Sequence, residues 1–285
     1  MTGRLVLVPG VGGGPWLWRH QLDHLSDLVR TEVLVLDRQA TRAEMAQHVL
    51  DRVTGTFSLA GHSLGGWVAQ EVAARAPDRV EKLFLCDTWT RSAPGAVDHL
   101  DEYRRHLERD RDGALEAHFG LLLAPGRYAD RAFCRRLRAW QRRMPVSGYV
   151  RQLRALARDY PTVQLLPRIA ADTLVVRGRH DRVVHPDEAP LLASSVRHAA
   201  LALIEDAGHC TPIEQPQALT AVMRLWLTGA PARRAVGRTD DASGAHRDGV
   251  GGRHRGGARH GVDQPVHAGR QRTAHQRGRE EQPQL

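Results

Sequence analysis

Lysine is almost absent from this sequence. Lys82 is the only one, and the rest of the 41 basic residues are arginine. Cysteine is scarce too: Cys86, Cys134 and Cys210 are odd in number, widely spaced and contain no C-x-x-C pair. That pattern offers neither a zinc site nor a disulfide framework. Cys210 follows His209, but a small buried filler accounts for it better than a nucleophile does. No apolar run approaches the length needed to cross a bilayer. The apolar stretch Leu5–Val8 is stopped by Pro9 after four residues, too short for the core of a signal peptide. These absences predict a cytoplasmic protein with no membrane association.

The formal net charge is +9, which raises the question of a nucleic-acid or acidic-surface partner. Its distribution argues against one. From Pro231 onward, eleven arginines face six acidic residues, a net of +5, so only +4 falls on the first 230 residues. Residues 232–285 contain no Phe, Tyr or Trp, the side chains on which bases stack. This segment is dominated by Gly, Arg, His, Gln and Asp and has no hydrophobic periodicity. It cannot bury enough apolar area to offset its ordering entropy, and it reads as a disordered, dispensable tail.

Two other textures precede it. Over residues 1–90, the short apolar runs Leu5–Val8, Val33–Leu36, Phe57–Ala60 and Leu83–Cys86 read as buried strands. Trp18–Val29, Arg42–Val53 and Leu64–Ala76 between them have helical spacing. The same texture resumes over 169–231 with strands at Thr173–Arg177 and Ala200–Ile204 and a helix at Pro216–Leu227. Such alternation predicts an α/β core with a mostly parallel sheet covered by helices. Residues 91–168 lack strands. Val97–Arg109, Gly113–Leu123, Asp130–Met144 and Ser147–Arg158 read as helices, so this stretch is expected to form a helical cap inserted into the core.

The chemistry is concentrated in Gly61-His62-Ser63-Leu64-Gly65, a G-x-S-x-G pattern between a strand and an amphipathic helix. A serine on such a turn needs tiny neighbours two residues away on either side, and it faces the amide end of the following helix. Serine alone is a weak nucleophile and needs a base. His209 is the candidate, presented just after the last strand. The orienting acid belongs between the two in sequence, after another strand. Asp181 fits, behind Gly178; Asp87, at the end of Leu83–Cys86, is its rival. The glycine-rich loop Pro9–Gly14 follows the first strand. It lacks the spacing of a phosphate loop, and the N–H of Val11, together with that of Leu64, is expected to form an oxyanion hole.

On these residues the chain resembles the α/β-hydrolase superfamily over roughly residues 3–230. It looks most like small capped members such as pimeloyl-carrier-protein methyl esterases and 3-oxoadipate enol-lactonases. The stretches that carry the resemblance are Leu5–Trp18, Phe57–Asp87, Thr173–Pro186 and Ile204–Pro216. The resemblance implies Ser63, Asp181 and His209 as triad, Val11 and Leu64 as oxyanion amides, and a structural role for Glu214. Pro9 departs from the histidine that many members carry there, and Asp37–Thr41 is shorter than the family's usual glycine-rich loop.

The expected activity is hydrolysis of a small-molecule carboxylic ester or lactone through an acyl-enzyme, with no metal and no organic cofactor. A cofactor-free acyltransferase or haloperoxidase-like enzyme would use the same triad. A catalytically silent ligand-binding protein would keep the fold without it. Trp16, Trp67, Trp89, Leu121, Leu122, Trp140 and Tyr149 are candidates to line an apolar pocket, each with core packing as the alternative.

Overall fold

The structure is a computed structural model that describes residues 3–91, 94–158 and 161–229. The tail expected from residue 232 lies outside the described residues. Six parallel strands form one sheet: β1 (Arg4–Val8), β2 (Arg30–Val33), β3 (Phe57–His62), β4 (Val80–Cys86), β5 (Asp172–Gly178) and β6 (Ala199–Ile204). Their order is β2-β1-β3-β4-β5-β6. The chain runs outward from β1 to β2, then returns past β1 to β3. That reversal opens a crevice at the carboxyl ends of β1 and β3, where ligands bind in open α/β sheets.

Side chains alternate across the central strands and feed two cores. Val6, Val8, Leu59, Leu83, Leu85 and Val175 face one side, under α2 (Arg42–Arg52), α3 (Leu64–Arg75) and α9 (Glu188–Ser195). Leu5, Leu7, Ala60, Phe84 and Val176 face the other, under α1 (Arg19–His24), the short α10 (Thr211–Glu214) and α11 (Pro216–Thr228). Burial on both faces is why these strands read as continuous apolar runs.

Between β4 and β5 the described chain is helical: α4 (Ala96–Arg109), α5 (Arg111–Leu122), α6 (Pro125–Ala129), α7 (Arg131–Gln141) and α8 (Val146–Ala157). Asp110 caps α5 by accepting from Gly113 N at 3.0 Å, and Asp130 caps α7 by accepting from Phe133 N at 2.9 Å. These helices share a third core containing Leu107, Leu115, Phe119, Phe133, Leu137 and Leu153.

The structure moves several expected boundaries. The second strand is Arg30–Val33, not Val33–Leu36. It lies at one edge of the sheet, is half-buried, and its residues Arg-Thr-Glu-Val form no apolar run. The apolar residues that follow mark where the chain leaves the sheet. Leu34 N makes a last bond to Leu7 O at 3.0 Å, and Leu34 and Leu36 turn into the core beneath α2 and α3. The first helix is shorter than Trp18–Val29, being α1 preceded by a 3-10 turn over Pro15–Trp18. The helix expected over Asp130–Met144 ends at Gln141. Helices α6 and α9 were not expected: α6 begins with Pro125 and α9 has Pro190 in its first turn, and proline punctuates a sequence but also fits a first helical turn.

Candidate active site

Ser63 sits on the turn from β3 into α3 with φ 53° and ψ −120°, a region that non-glycine residues rarely occupy. Tight packing imposes this backbone. A Cβ on Gly61 would lie 2.3 Å from Gly65 O, and one on Gly65 would lie 2.1 Å from Val8 O. The turn is pinned on both sides: Ser63 N donates to Cys86 O at 2.9 Å, and Thr88 Oγ1 donates to Ser63 O at 2.8 Å. The strained serine is thereby held at the crevice between β1 and β3.

His209 enters from the loop after β6. Its Nε2 lies 2.9 Å from Ser63 Oγ, and its Nδ1 lies 3.0 Å from Asp181 Oδ2. A carboxylate can only accept, so Nδ1 carries the proton and the Nε2 lone pair faces the serine hydroxyl. Asp181, on the loop after β5, turns its other oxygen to Val183 N at 2.8 Å and Val184 N at 3.1 Å. All three side chains are nearly sealed from solvent. Burial by itself depresses the His209 pKa, but the charges of Asp181, Asp87 and Glu214 outweigh it and leave the imidazole above its ordinary value. Burial pushes the Asp181 carboxyl up, while His209 and the two amides pull it below the ordinary range; the net direction is down.

The loop that carries His209 is braced by Glu214. One carboxylate oxygen accepts from Gly208 N and Cys210 N, both at 3.0 Å, and the other accepts from Ala124 N at 2.7 Å. Burial raises this carboxyl to about 7 against those three donors. His209 N also donates to Leu122 O at 2.7 Å, so the histidine loop is tied to the end of α5. His62, next to Ser63, donates Nε2–H to His209 O at 2.6 Å. Burial, with His209 beside it, drives the His62 pKa down to about 3, so this ring is a neutral strut. Its bracing contact and the Thr88 hydroxyl had no signal in the sequence, because each acts on backbone carbonyls remote in the chain.

Asp87, the rival acid, is also buried here with φ 48°. It is committed elsewhere. Its Oδ1 accepts from Gly178 N at 2.8 Å, and its Oδ2 accepts from Cys86 Sγ at 3.3 Å and lies 3.8 Å from His62 Nε2. Burial and the neighbouring Asp181 charge raise it to about 7. The carboxylate bonded to His209 is that of Asp181.

The loop after β1 lies directly against Ser63: a Cβ on Gly10 would be 2.9 Å from Ser63 Cβ. Gly13 N donates to Gly10 O at 3.0 Å, closing a turn with Val11 and Gly12 at its centre and Gly12 at φ +66°. Leu64 is the first residue of α3, where backbone N–H groups lack helical partners.

Ser63 and His209 open onto a cavity of about 610 Å³, the size range of small-molecule sites. Of the side chains expected there, Trp16, Trp89, Leu121, Leu122 and Tyr149 line it, and so does Val11. Trp67 does not. It faces the core from α3, beneath the Arg42 guanidinium at 4.6 Å. Trp140 stands one layer back, stacked on Trp16 with ring centroids 5.5 Å apart. The cavity wall also includes Tyr103 and His118, stacked at 4.2 Å, which the sequence did not single out. Burial, then His99, pushes the His118 pKa down to about 3, so it adds a neutral polar ring. Cys210 lines the wall as a buried free thiol, and burial raises its pKa far above the ordinary range. Among the described residues no cluster of His, Cys, Asp and Glu could hold a metal ion, and no helix is long and apolar enough to cross a membrane.

Known proteins share this architecture. The (E)-2-((N-methylformamido)methylene)succinate hydrolase of Acinetobacter baylyi is 24% identical over 246 residues, covering 80% of this chain and 91% of that protein. The pimeloyl-[acyl-carrier protein] methyl ester esterase of Nitrosomonas europaea is 26% identical over 187 residues, covering 61% and 72%. The solved structure of a thermophilic esterase from Thermogutta terrifontis superposes with a TM-score of 0.71 at 27% identity, covering 80% and 90%. A sequence profile described as the alpha/beta hydrolase family matches residues 5–222, which takes in all six strands but for Arg4 of β1, and each of Ser63, Asp181 and His209. With the sheet, the serine turn and the profile in agreement, this chain belongs to the alpha/beta hydrolase family.

Proposed function

We propose that this protein is a serine hydrolase that cleaves a carboxylic ester or lactone of a small molecule. The observation that carries the reading is the continuous chain from Ser63 Oγ through His209 to Asp181, at 2.9 and 3.0 Å, opening onto the cavity. Ser63 Oγ attacks the acyl carbon while His209 Nε2 takes its proton. Asp181 holds the tautomer and stabilises the imidazolium that results. The oxyanion of the tetrahedral intermediate is held by the N–H groups of Val11 and Leu64. His209 then returns the proton to the leaving oxygen, which departs as an alcohol and leaves acyl-Ser63. Water, deprotonated by the same histidine, attacks the acyl group and releases the acid. None of these steps calls on a metal or an organic cofactor. Esterases among the relatives support the ester class.

The test is a panel of p-nitrophenyl esters and lactones run on wild type and Ser63→Ala in parallel, with a fluorophosphonate probe on both. Wild type turns over members of the panel and is labelled at Ser63; the variant does neither. Labelling or turnover that survives Ser63→Ala refutes the assignment.

A further inference from the structure

Helix α8 reaches the loop after β1 through one buried side chain. Gln152 is 1% exposed. Its Oε1 accepts from Gly12 N at 2.9 Å, and its Nε2 donates to Leu36 O at 2.9 Å. The amide orientation is fixed by its partners, since one is an N–H and the other a carbonyl. Gln152 therefore clamps two loops that leave neighbouring strands, β1 and β2, and it does so from a helix that belongs to neither.

The clamp falls on the peptide that decides the shape of the turn. In the Gly10–Gly13 turn, Gly10 O is tied to Gly13 N at 3.0 Å. Gly10 O and Val11 N–H belong to one peptide plane and point in opposite directions. Fixing the carbonyl therefore aims the Val11 N–H out of the turn. The next peptide, Val11–Gly12, is the one whose flip separates the two common turn types. Its N–H is the group that Gln152 holds. Tyr149, one turn earlier on α8, packs its ring where a Gly12 Cβ would be. Both contacts on this peptide come from α8.

We infer that Gln152 is a positioning residue that sets the oxyanion hole from the inserted helices, so that the Val11 N–H is correctly aimed only while α8 is seated on the sheet. This rests on the reading of Ser63 as nucleophile and Val11 N–H as oxyanion donor. It assigns the inserted helices a share in the chemical step, beyond shaping the cavity. Gln152 lies outside the substrate's reach, acting through Gly12, so its loss should weaken transition-state binding and spare ground-state binding.

The test uses the full chain. Gln152→Met keeps the volume and removes both bonds; Gln152→Glu keeps an acceptor toward Gly12. Removing an oxyanion donor outright costs roughly 10²–10³ in kcat, and misaiming one should cost part of that. We expect kcat to fall about 10- to 100-fold in Gln152→Met with KM within threefold. Affinity for a trifluoromethyl ketone, which forms an oxyanion on Ser63, should fall by the same factor as kcat/KM. Affinity for an unreactive amide analogue of the substrate should hold, and Gln152→Glu should recover most of kcat. If Gln152→Met does not fold, Gln152→Asn, one methylene short of Gly12, is read in the same way. A variant that keeps kcat and ketone affinity within threefold overturns the inference, as does one that loses ketone and amide affinity equally. Turnover or probe labelling that survives Ser63→Ala would instead overturn the underlying reading, so the two failures are distinguishable.

Discussion

Asp181→Asn tests the proposed orienting acid with almost no change of shape. An asparagine at this position can keep its carbonyl oxygen on Val183 N and Val184 N, now 2.8 and 3.1 Å from Asp181 Oδ1. Its NH2 then faces His209 Nδ1 in place of the oxygen at 3.0 Å. A donor there forces Nδ1 to accept, which puts the ring proton on Nε2, opposite Ser63 Oγ. That tautomer cannot take the serine proton. The resulting loss is about three to four orders of magnitude in kcat, or roughly 4–5.5 kcal/mol at 1.36 kcal/mol per decade. Asp87→Asn is the matched control. It keeps an acceptor for Gly178 N and leaves the bond between His209 and Asp181 in place, although a carboxyl raised to about 7 still carries much of its charge at the assay pH. Its kcat should fall less than about tenfold. The assay is steady-state hydrolysis of a chromogenic ester at pH 7.5, with melting temperatures to show that both variants are folded. An Asp87→Asn defect equal to or larger than that of Asp181→Asn would refute the assignment.

The pH profile has a definite sign. Protonated His209 is inactive as a base, so kcat/KM rises with pH, and because the folded pKa is raised the midpoint should lie above the ordinary value of about 6.5. A midpoint below that value, with chemistry rate-limiting, counts against His209 as base. The same shift means that the contribution of His209 to stability is full below the unfolded pKa and is lost as pH rises through the folded one. Gly12→Ala tests the turn. It places a Cβ at positive φ, costing about 1–2 kcal/mol, and sets it 2.1 Å from the buried Tyr149 ring. The melting temperature should drop by at least about 4 °C and kcat should fall with it; a variant as stable and active as wild type would show that the turn is not held as described.

How much of this was legible depended on how far apart in sequence the interacting groups lie. The serine turn could be read because its constraint is local. Gly61 and Gly65 are within two residues of Ser63, and the same backbone crowding that excludes their side chains writes the motif. His209 and Asp181 could be read as residues following strands, because parallel strands present their carboxyl ends on one side of the sheet. Of the two edge strands, β2 could not be placed: Arg30–Val33 is polar in three of its four residues and lacks the apolar run that marked the other strands, including β6 at the opposite edge.

The sequence by itself determined the alternation of buried central strands with the longer helices, the serine turn and the pair of candidate acids, since these follow from apolar spacing and from glycine where a Cβ cannot fit. Which of Asp181 and Asp87 hydrogen-bonds His209 is decided only in the tertiary structure. Both follow strands, but only loop geometry decides which carboxylate meets Nδ1 of His209 and which is spent on Gly178 N. The tertiary structure likewise turned Trp67 into the core and brought Gln152 to Gly12 across 140 residues of chain. A glutamine on an amphipathic helix carries no mark of its partner. Its role comes from packing α8 against the loop after β1, and contacts between remote segments arise only when the chain folds.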